Sequence, residues 1–170
     1  MISFRAMQQS DISTVLHWLQ QHHVSEYWFS VRNSTDDEIR KKYEKRLKEG
    51  IIELYIMMVN NQDIGLIQTY FLETGNPFRV NVPAKGIDLF IGEKEFLNKG
   101  FGSRLIELFL EEHVFDDPKV SFACIDPEVA NERAIRVYEK CGFVPIHAGY
   151  CPHSKLLTCY MTLQRQKEKA

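Results

Sequence analysis

The sequence predicts an α/β fold, a mixed sheet with helices on both faces, and three observations predict it. Apolar residues recur at helical spacing in two N-terminal segments. Two long runs rich in β-branched and aromatic residues follow, joined by turn residues, and beyond them segments of strand and helix character alternate. At 170 residues the chain suits a single domain, 1–170, long enough to bury a core.

Ile12, Val15, Leu16 and Leu19 lie at helical spacing behind Ser10, a residue type that caps helices, and they define the first helix. The second opens at Thr35, with Glu38 in capping-box spacing; it puts Ile39, Tyr43 and Leu47 on one face and stops at Gly50. IIELYIMMV and IGLIQTYFL flank Asn60, Asn61, Gln62 and Asp63, which reads as a hairpin. ETGNPFRVNVPAK, with its prolines, glycine and asparagines, reads as a loop, and such excursions often carry binding residues. GIDLFIG is a strand, RLIELFLEEHV a helix ended by Asp116-Asp117-Pro118, and KVSFACID a strand. Asn131 to Lys140 is helical and closed by Gly142; FVPIHAG and LLTCYMTL are the last strands, and QRQKEKA is a frayed polar tail. Each strand–helix–strand unit is expected to give a parallel pair, with ligands at the C-terminal strand ends.

Lys and Arg total 21 against 23 Asp and Glu, a formal charge of −2, so there is no global basic field to favour nucleic acid, and any anion site is local. Cys124, Cys141, Cys151 and Cys159 form no C-x-x-C pair and no zinc-ligand spacing with the histidines, which predicts free thiols in a reducing compartment. MISFRAMQQSD lacks the apolar run of a signal peptide, and no apolar stretch is long enough to span a bilayer. The expectation is a cytoplasmic protein with no membrane partner.

The stretch GEKEFLNKGFGSRLIELFLEEH places Gly100 and Gly102 beside Lys99, immediately before a helix. Glycine costs about 1 kcal/mol relative to alanine inside a helix. The pair is either a tight turn or a cradle whose N–H groups meet a phosphate. Leu105 stands where a dinucleotide fingerprint needs its third glycine, and the GK[ST] of a P-loop is absent.

Taken together, GIDLFIG, LNKGFGSRLI and NERAIRVYEKCGF, in this order and spacing, resemble the GNAT superfamily of acetyl-CoA-dependent N-acetyltransferases. Within it the chain is most similar to the aminoglycoside 6′-N-acetyltransferases, because the similarity extends to HWLQQHHVSEYW, IGLIQTYF, KGID and IDPEVAN. It covers most of residues 4–145 and fades in 73–85 and after Pro145. The resemblance implies a GNAT-like acyl-CoA N-acyltransferase fold, acetyl-CoA as cosubstrate, no metal, and a small-molecule amine as acceptor, in a monomer or a homodimer.

Coenzyme A carries a pyrophosphate, which the N–H groups of Asn98, Lys99, Gly100, Phe101, Gly102 and Ser103 can hold, Lys99 adding charge. The family usually has Gln or Arg where this chain has Leu97, which removes one side-chain contact and leaves the backbone. The resemblance further implies that Asn131 binds the pantetheine arm and that Tyr138 lies near the sulfur, where a phenol can protonate the departing thiolate; packing beside Ile135 is the other reading of Tyr138.

Asp88 is an acid inside a strand, where Asp is disfavoured, and alternates away from Ile87 and Leu89. The matching family residue acts as base toward the acceptor amine, and Asp126 corresponds to an acid that contacts the aminoglycoside. If the strands splay, the two carboxylates share a cleft suited to a polyamine. Otherwise Asp88 meets Lys85, and Asp126 before Pro127 starts a turn. Glu26, beside Trp28 and Phe29, and Glu73 are further candidates for the acceptor side, although 73–85 lacks the aromatic-acidic run associated with well-known 6′-acetyltransferases. No Cys or Ser has a convincing base beside it, so direct transfer is expected, with N–H groups of the Asp88–Gly92 strand polarising the thioester carbonyl. Alternatives are acetylation of a siderophore-precursor hydroxylamine or of a protein or peptide amine, and a non-catalytic acyl-CoA-binding module.

Overall fold

The structure is a computed structural model that describes residues 1–28 and 31–166; Phe29 and the end of the polar tail, 167–170, lie outside the described residues. Its strands form a seven-stranded mixed sheet in the order β1-β2-β3-β4-β5-β7-β6. The chain divides into two compact units, Met1–Tyr70 with Asp88–Gly102, and Phe71–Ile87 with the chain from Ser103 onward.

In the first unit, β1 (Ile2–Ala6) pairs antiparallel with β2 (Glu53–Val59), from Ile2↔Val59 to Ala6↔Tyr55. The sequence pattern did not predict β1. It is short, it carries the charged Arg5, and its partner is some fifty residues away, so local periodicity gives no sign of it. The expected hairpin is present: β2 pairs with β3 (Gln62–Phe71) from Glu53↔Thr69 to Val59↔Gln62. Asn60 and Asn61 both take positive φ, 49° and 65°, as a tight hairpin turn that follows the strand twist demands. Gly65 is obligatory within β3, since a Cβ there would lie 2.2 Å from the Phe90 carbonyl oxygen.

The cap of the first helix is a correction. Ser10 lies inside a 3-10 turn, Gln9–Asp11, and α1 runs Ile12–Leu19 behind Asp11. The Asp11 carboxylate accepts from the Gln8 N–H at 2.8 Å and from Arg5 at 2.8 and 2.9 Å, so one acid ties β1 to the helix start. After the short α2 (His22–Ser25), α3 (Asp36–Glu49) has the capping box: Thr35 Oγ1 accepts from the Glu38 N–H at 3.2 Å, and Glu38 accepts from the Thr35 N–H at 2.7 Å. Gly50 ends it at φ 66°. Ile12, Val15, Leu19, Ile39, Tyr43, Ile56 and Leu66 join one buried cluster, against which Leu47 packs.

In the second unit, Ala84 and Lys85 open β4 (Ala84–Ile91) instead of ending the loop. Lys85 is buried, with Nζ donating to the His113 carbonyl at 3.0 Å. The loop before it is anchored. Leu72 N–H donates to the Ala84 carbonyl, Asn76 Nδ2 bonds the Glu73 and Val80 carbonyls, and Phe78 is buried edge-on against Tyr160. α4 (Phe101–Phe109) runs into a π-helical turn, Leu110–Val114, and β5 (Phe122–Ile125) pairs in parallel with β4, as expected of a strand–helix–strand unit. The next unit departs from that expectation. α5 (Glu132–Lys140) leads to β6 (Val144–Tyr150), but β7 (Leu157–Gln164) lies between β5 and β6, antiparallel to both.

Candidate active site

Asp88 is half-buried in β4 and meets a polar group that has no business in an apolar strand unless it is bonded: Gln68 in β3, only 4% exposed, donates Nε2 to Asp88 Oδ2 at 2.8 Å. Arg46 in α3 donates Nη1 to Gln68 Oε1 at 3.1 Å. Burial pushes the Asp88 carboxyl above the ordinary carboxylate range; the bond from Gln68, the Arg46 charge, a bond from the Tyr70 phenol and the Lys42 charge pull it part of the way back. A carboxyl so poised takes up a proton more readily than an exposed one, as a general base must. Lys85, the neighbour considered from sequence, is bonded instead to His113.

Downstream of Asp88 the strand is held in place. Gly92 N–H donates to the Ile64 carbonyl at 2.8 Å, and Glu93 N–H to the same oxygen at 3.1 Å. The Gly92 N–H is therefore engaged within the sheet, and the expectation that it polarises a bound carbonyl is withdrawn. His23 Nε2 meets the Ile91 carbonyl at 3.0 Å.

Between Phe96 and Phe101, whose rings pack with centroids 5.6 Å apart, the chain turns through two left-handed residues, Asn98 at φ 60° and Gly100 at φ 77°. Asn98, Lys99 and Gly100 are exposed, and a Cβ on Gly100 would meet nothing within 4 Å. Bare backbone, open space and an exposed lysine at the start of α4 suit the phosphates of coenzyme A. Phe101 contributes its ring to the turn. Ser103 is buried in α4, and its carbonyl accepts from Cys141 Sγ at 3.6 Å.

In the second unit, Asn131 is the N-cap of α5, its Oδ1 accepting from the Ala134 N–H at 3.3 Å. Tyr138 is 9% exposed, and its ring packs against Phe143 with 6.2 Å between centroids. Asp126 follows the last residue of β5, and the backbone after it is pinned: Pro127 accepts from the Cys159 N–H at 2.8 Å, and Glu128 bridges to Thr158. Burial and the Asp126 charge push the Cys124 thiol up to about 12, and burial with the Glu107 charge pushes Cys141 up to about 11. Neither is a nucleophile near neutrality.

Glu26 ends α2 with His22 4.0 Å away, and Glu73 is exposed on the loop. The first unit thus brings Asp88 together with Gln68, Arg46, Lys42 and Tyr70, four residues that the sequence reading did not single out. Gln68 alone carried a sign, as an amide directly after the apolar run IGLI. Among the described residues no group of three or more His, Cys, Asp or Glu is placed to hold a metal ion, and no helix is long and apolar enough to cross a membrane.

The seven-stranded mixed sheet has the fold of the GNAT acetyltransferases, as the comparisons show. The family model of the GNAT acetyltransferase domain matches residues 7–149, and the chain belongs to that family. It is 32% identical over 148 residues to the aminoglycoside N(6′)-acetyltransferase type 1 of Klebsiella pneumoniae, covering 84% of this chain and 73% of that protein. Among solved structures, the aminoglycoside acetyltransferase AAC(6′)-Ib in complex with coenzyme A and kanamycin superposes with a TM-score of 0.83 at 29% identity, covering 97% of this chain and 95% of that one. The aminoglycoside N(6′)-acetyltransferase of Legionella pneumophila does so with a TM-score of 0.79 at 26% identity, covering 96% and 91%.

Proposed function

We propose that this chain transfers the acetyl group of acetyl-CoA to a primary amine of an aminoglycoside-like polycation, at the 6′ position. The observation that carries the reading is the acid of β4: Asp88, half-buried and bonded by Gln68, in a chain that shares its fold and about 30% of its sequence with aminoglycoside 6′-N-acetyltransferases. Asp88 takes a proton from the acceptor ammonium, directly or through a water, and frees the amine lone pair. Acetyl-CoA supplies an activated thioester to that amine. Asn98, Lys99, Gly100, Phe101, Gly102 and Ser103 hold its phosphates, Asn131 orients the pantetheine arm, and Tyr138 delivers a proton to the sulfur as the C–S bond breaks. Asp126, Glu26 and Glu73 attract the polycation.

Thiol release from acetyl-CoA across a panel of amines tests this. Turnover is expected with an aminoglycoside bearing a 6′-amine and not with its 6′-hydroxyl analogue. Equal turnover of the analogue places the chemistry at another position. Reaction only with a hydroxylamine or a peptide amine replaces the acceptor class, and coenzyme A binding with no turnover on any amine makes the chain a binding module.

A further inference from the structure

Gln68 sits in β3 between Ile67 and Thr69, both fully buried, and its amide has two unlike ends. Its neighbours decide which way each end points. Arg46 carries donors only, so the Gln68 atom that meets Nη1 at 3.1 Å has to be the carbonyl oxygen. The NH2 group is thereby turned toward Asp88, where Nε2 donates at 2.8 Å. Turned the other way, the amide would set its oxygen against the carboxylate, and Asp88 could meet it only by keeping a proton.

We propose that Arg46 is a positioning residue for Asp88, acting through Gln68: its guanidinium locks the amide so that the NH2 group always faces the carboxylate. The consequence for the reaction rests on the reading of Asp88 as the base; the locking is a property of the three side chains. Arg46 is itself held, its guanidinium 5.6 Å from the ring centroid of Tyr43, which is 1% exposed. Arg46 and Lys42, four residues apart on α3, lie on one helix face.

The charged and titratable groups around Asp88 are Arg46, Lys42 and Tyr43 from α3 and Tyr70 from β3. Burial and the Arg46 charge lower Lys42, and Asp88 partly restores it. Burial pushes the Tyr43 phenol up to about 12, so it stays neutral at neutral pH. Tyr70 and Lys42 remain when Arg46 is replaced, and Lys42, relieved of the Arg46 charge, holds its proton more firmly and so works only against the expected rise.

Carbon-13 NMR of the side-chain carboxyls, with Asp88 assigned by its loss in Asp88→Asn, follows the titration directly. Arg46→Met is expected to move the Asp88 midpoint upward by roughly 0.5 pH or more, because the Arg46 charge is lost and the Gln68 amide is free to turn its donor away from the carboxylate. Arg46→Lys keeps both charge and donor and should stay near wild type, which also guards against a folding defect in the methionine variant. In a Gln68→Leu background the Arg46→Met shift should shrink, since the amide it acts through is gone. An unmoved midpoint overturns the proposal, and so does a shift of equal size with and without Gln68, which would mean that the charge acts through space alone. The acidic limb of kcat/KM against pH should move with the NMR midpoint. A midpoint that moves while the limb stays put overturns Asp88 as the base, and with it the part of Arg46 in the reaction.

Discussion

The backbone of Gly92 lies directly against the indole of Trp18: a Cβ on Gly92 would sit 2.1 Å from Trp18 Cγ. The indole cannot easily swing away, because it is 1% exposed and its Nε1 donates to Glu93 Oε1 at 2.7 Å. Gly92→Ala is therefore expected to cost about 1–3 kcal/mol of overpacking, which for a chain of this length lowers Tm by roughly 2–4 °C per kcal/mol. Thermal melts followed by circular dichroism measure it, and an unchanged Tm would show that the indole repacks freely.

Asp88→Asn separates activity from stability. Turnover should fall by roughly 10²–10⁴-fold, the usual cost of a lost proton-transfer group. In the fold the Asp88 carboxyl lies above its ordinary range because burial disfavours its charge. Such an acid binds its proton more tightly folded than unfolded, so its contribution to stability is most favourable below the ordinary carboxylate value and is lost as pH climbs through the folded one. Asparagine has no charge to desolvate and still accepts from Gln68. The variant should melt higher than wild type at about pH 8, with the gap closing toward about pH 4. A variant that melts lower at the higher pH would mean that Arg46 and Lys42 hold the carboxylate more strongly than burial opposes it.

Tyr138→Phe keeps the ring that packs on Phe143 and deletes the hydroxyl. Affinity for coenzyme A by calorimetry should persist while turnover drops by about 10²-fold or less. Equal turnover at saturating substrates assigns Tyr138 to packing alone.

Asp126→Asn should leave kcat in place and raise KM for a polycationic acceptor roughly two- to fivefold, as expected of one screened charge pair. The wild-type KM should climb with added salt more steeply than that of the variant. A loss of kcat instead would assign Asp126 a part in the chemistry.

Much of this fold is legible from neighbours in sequence. Thr35 and Glu38 announce their capping box, Asn60 and Asn61 their turn, and Asp88 its exceptional position, because an acid in the middle of GIDLFIG contradicts strand preference. What stayed hidden depends on partners far apart. Arg46 and Gln68 are 22 residues apart and Gln68 and Asp88 20, so only the assembled sheet and helix bring the three together. Lys85 read as the end of a loop because the prolines, glycine and asparagines before it mark one, and its burial makes sense only once the His113 carbonyl is there to receive it. The place of β7 is likewise a matter of pairing, on which hydrophobic pattern is silent.

That placement bears on synthesis. β7 follows both β5 and β6 in sequence, yet it supplies the inner ladder from Phe122↔Gln164 to Ile125↔Met161 on one side and the whole partner of β6 on the other. A nascent chain emerging from the ribosome has β5 and β6 in hand with an unfilled slot between them, and their exposed edges are templates for pairing with other chains. The second unit can close only once residues 157–164 have left the exit tunnel, so a stop ahead of Leu157 should yield inclusion bodies in place of a shortened soluble protein.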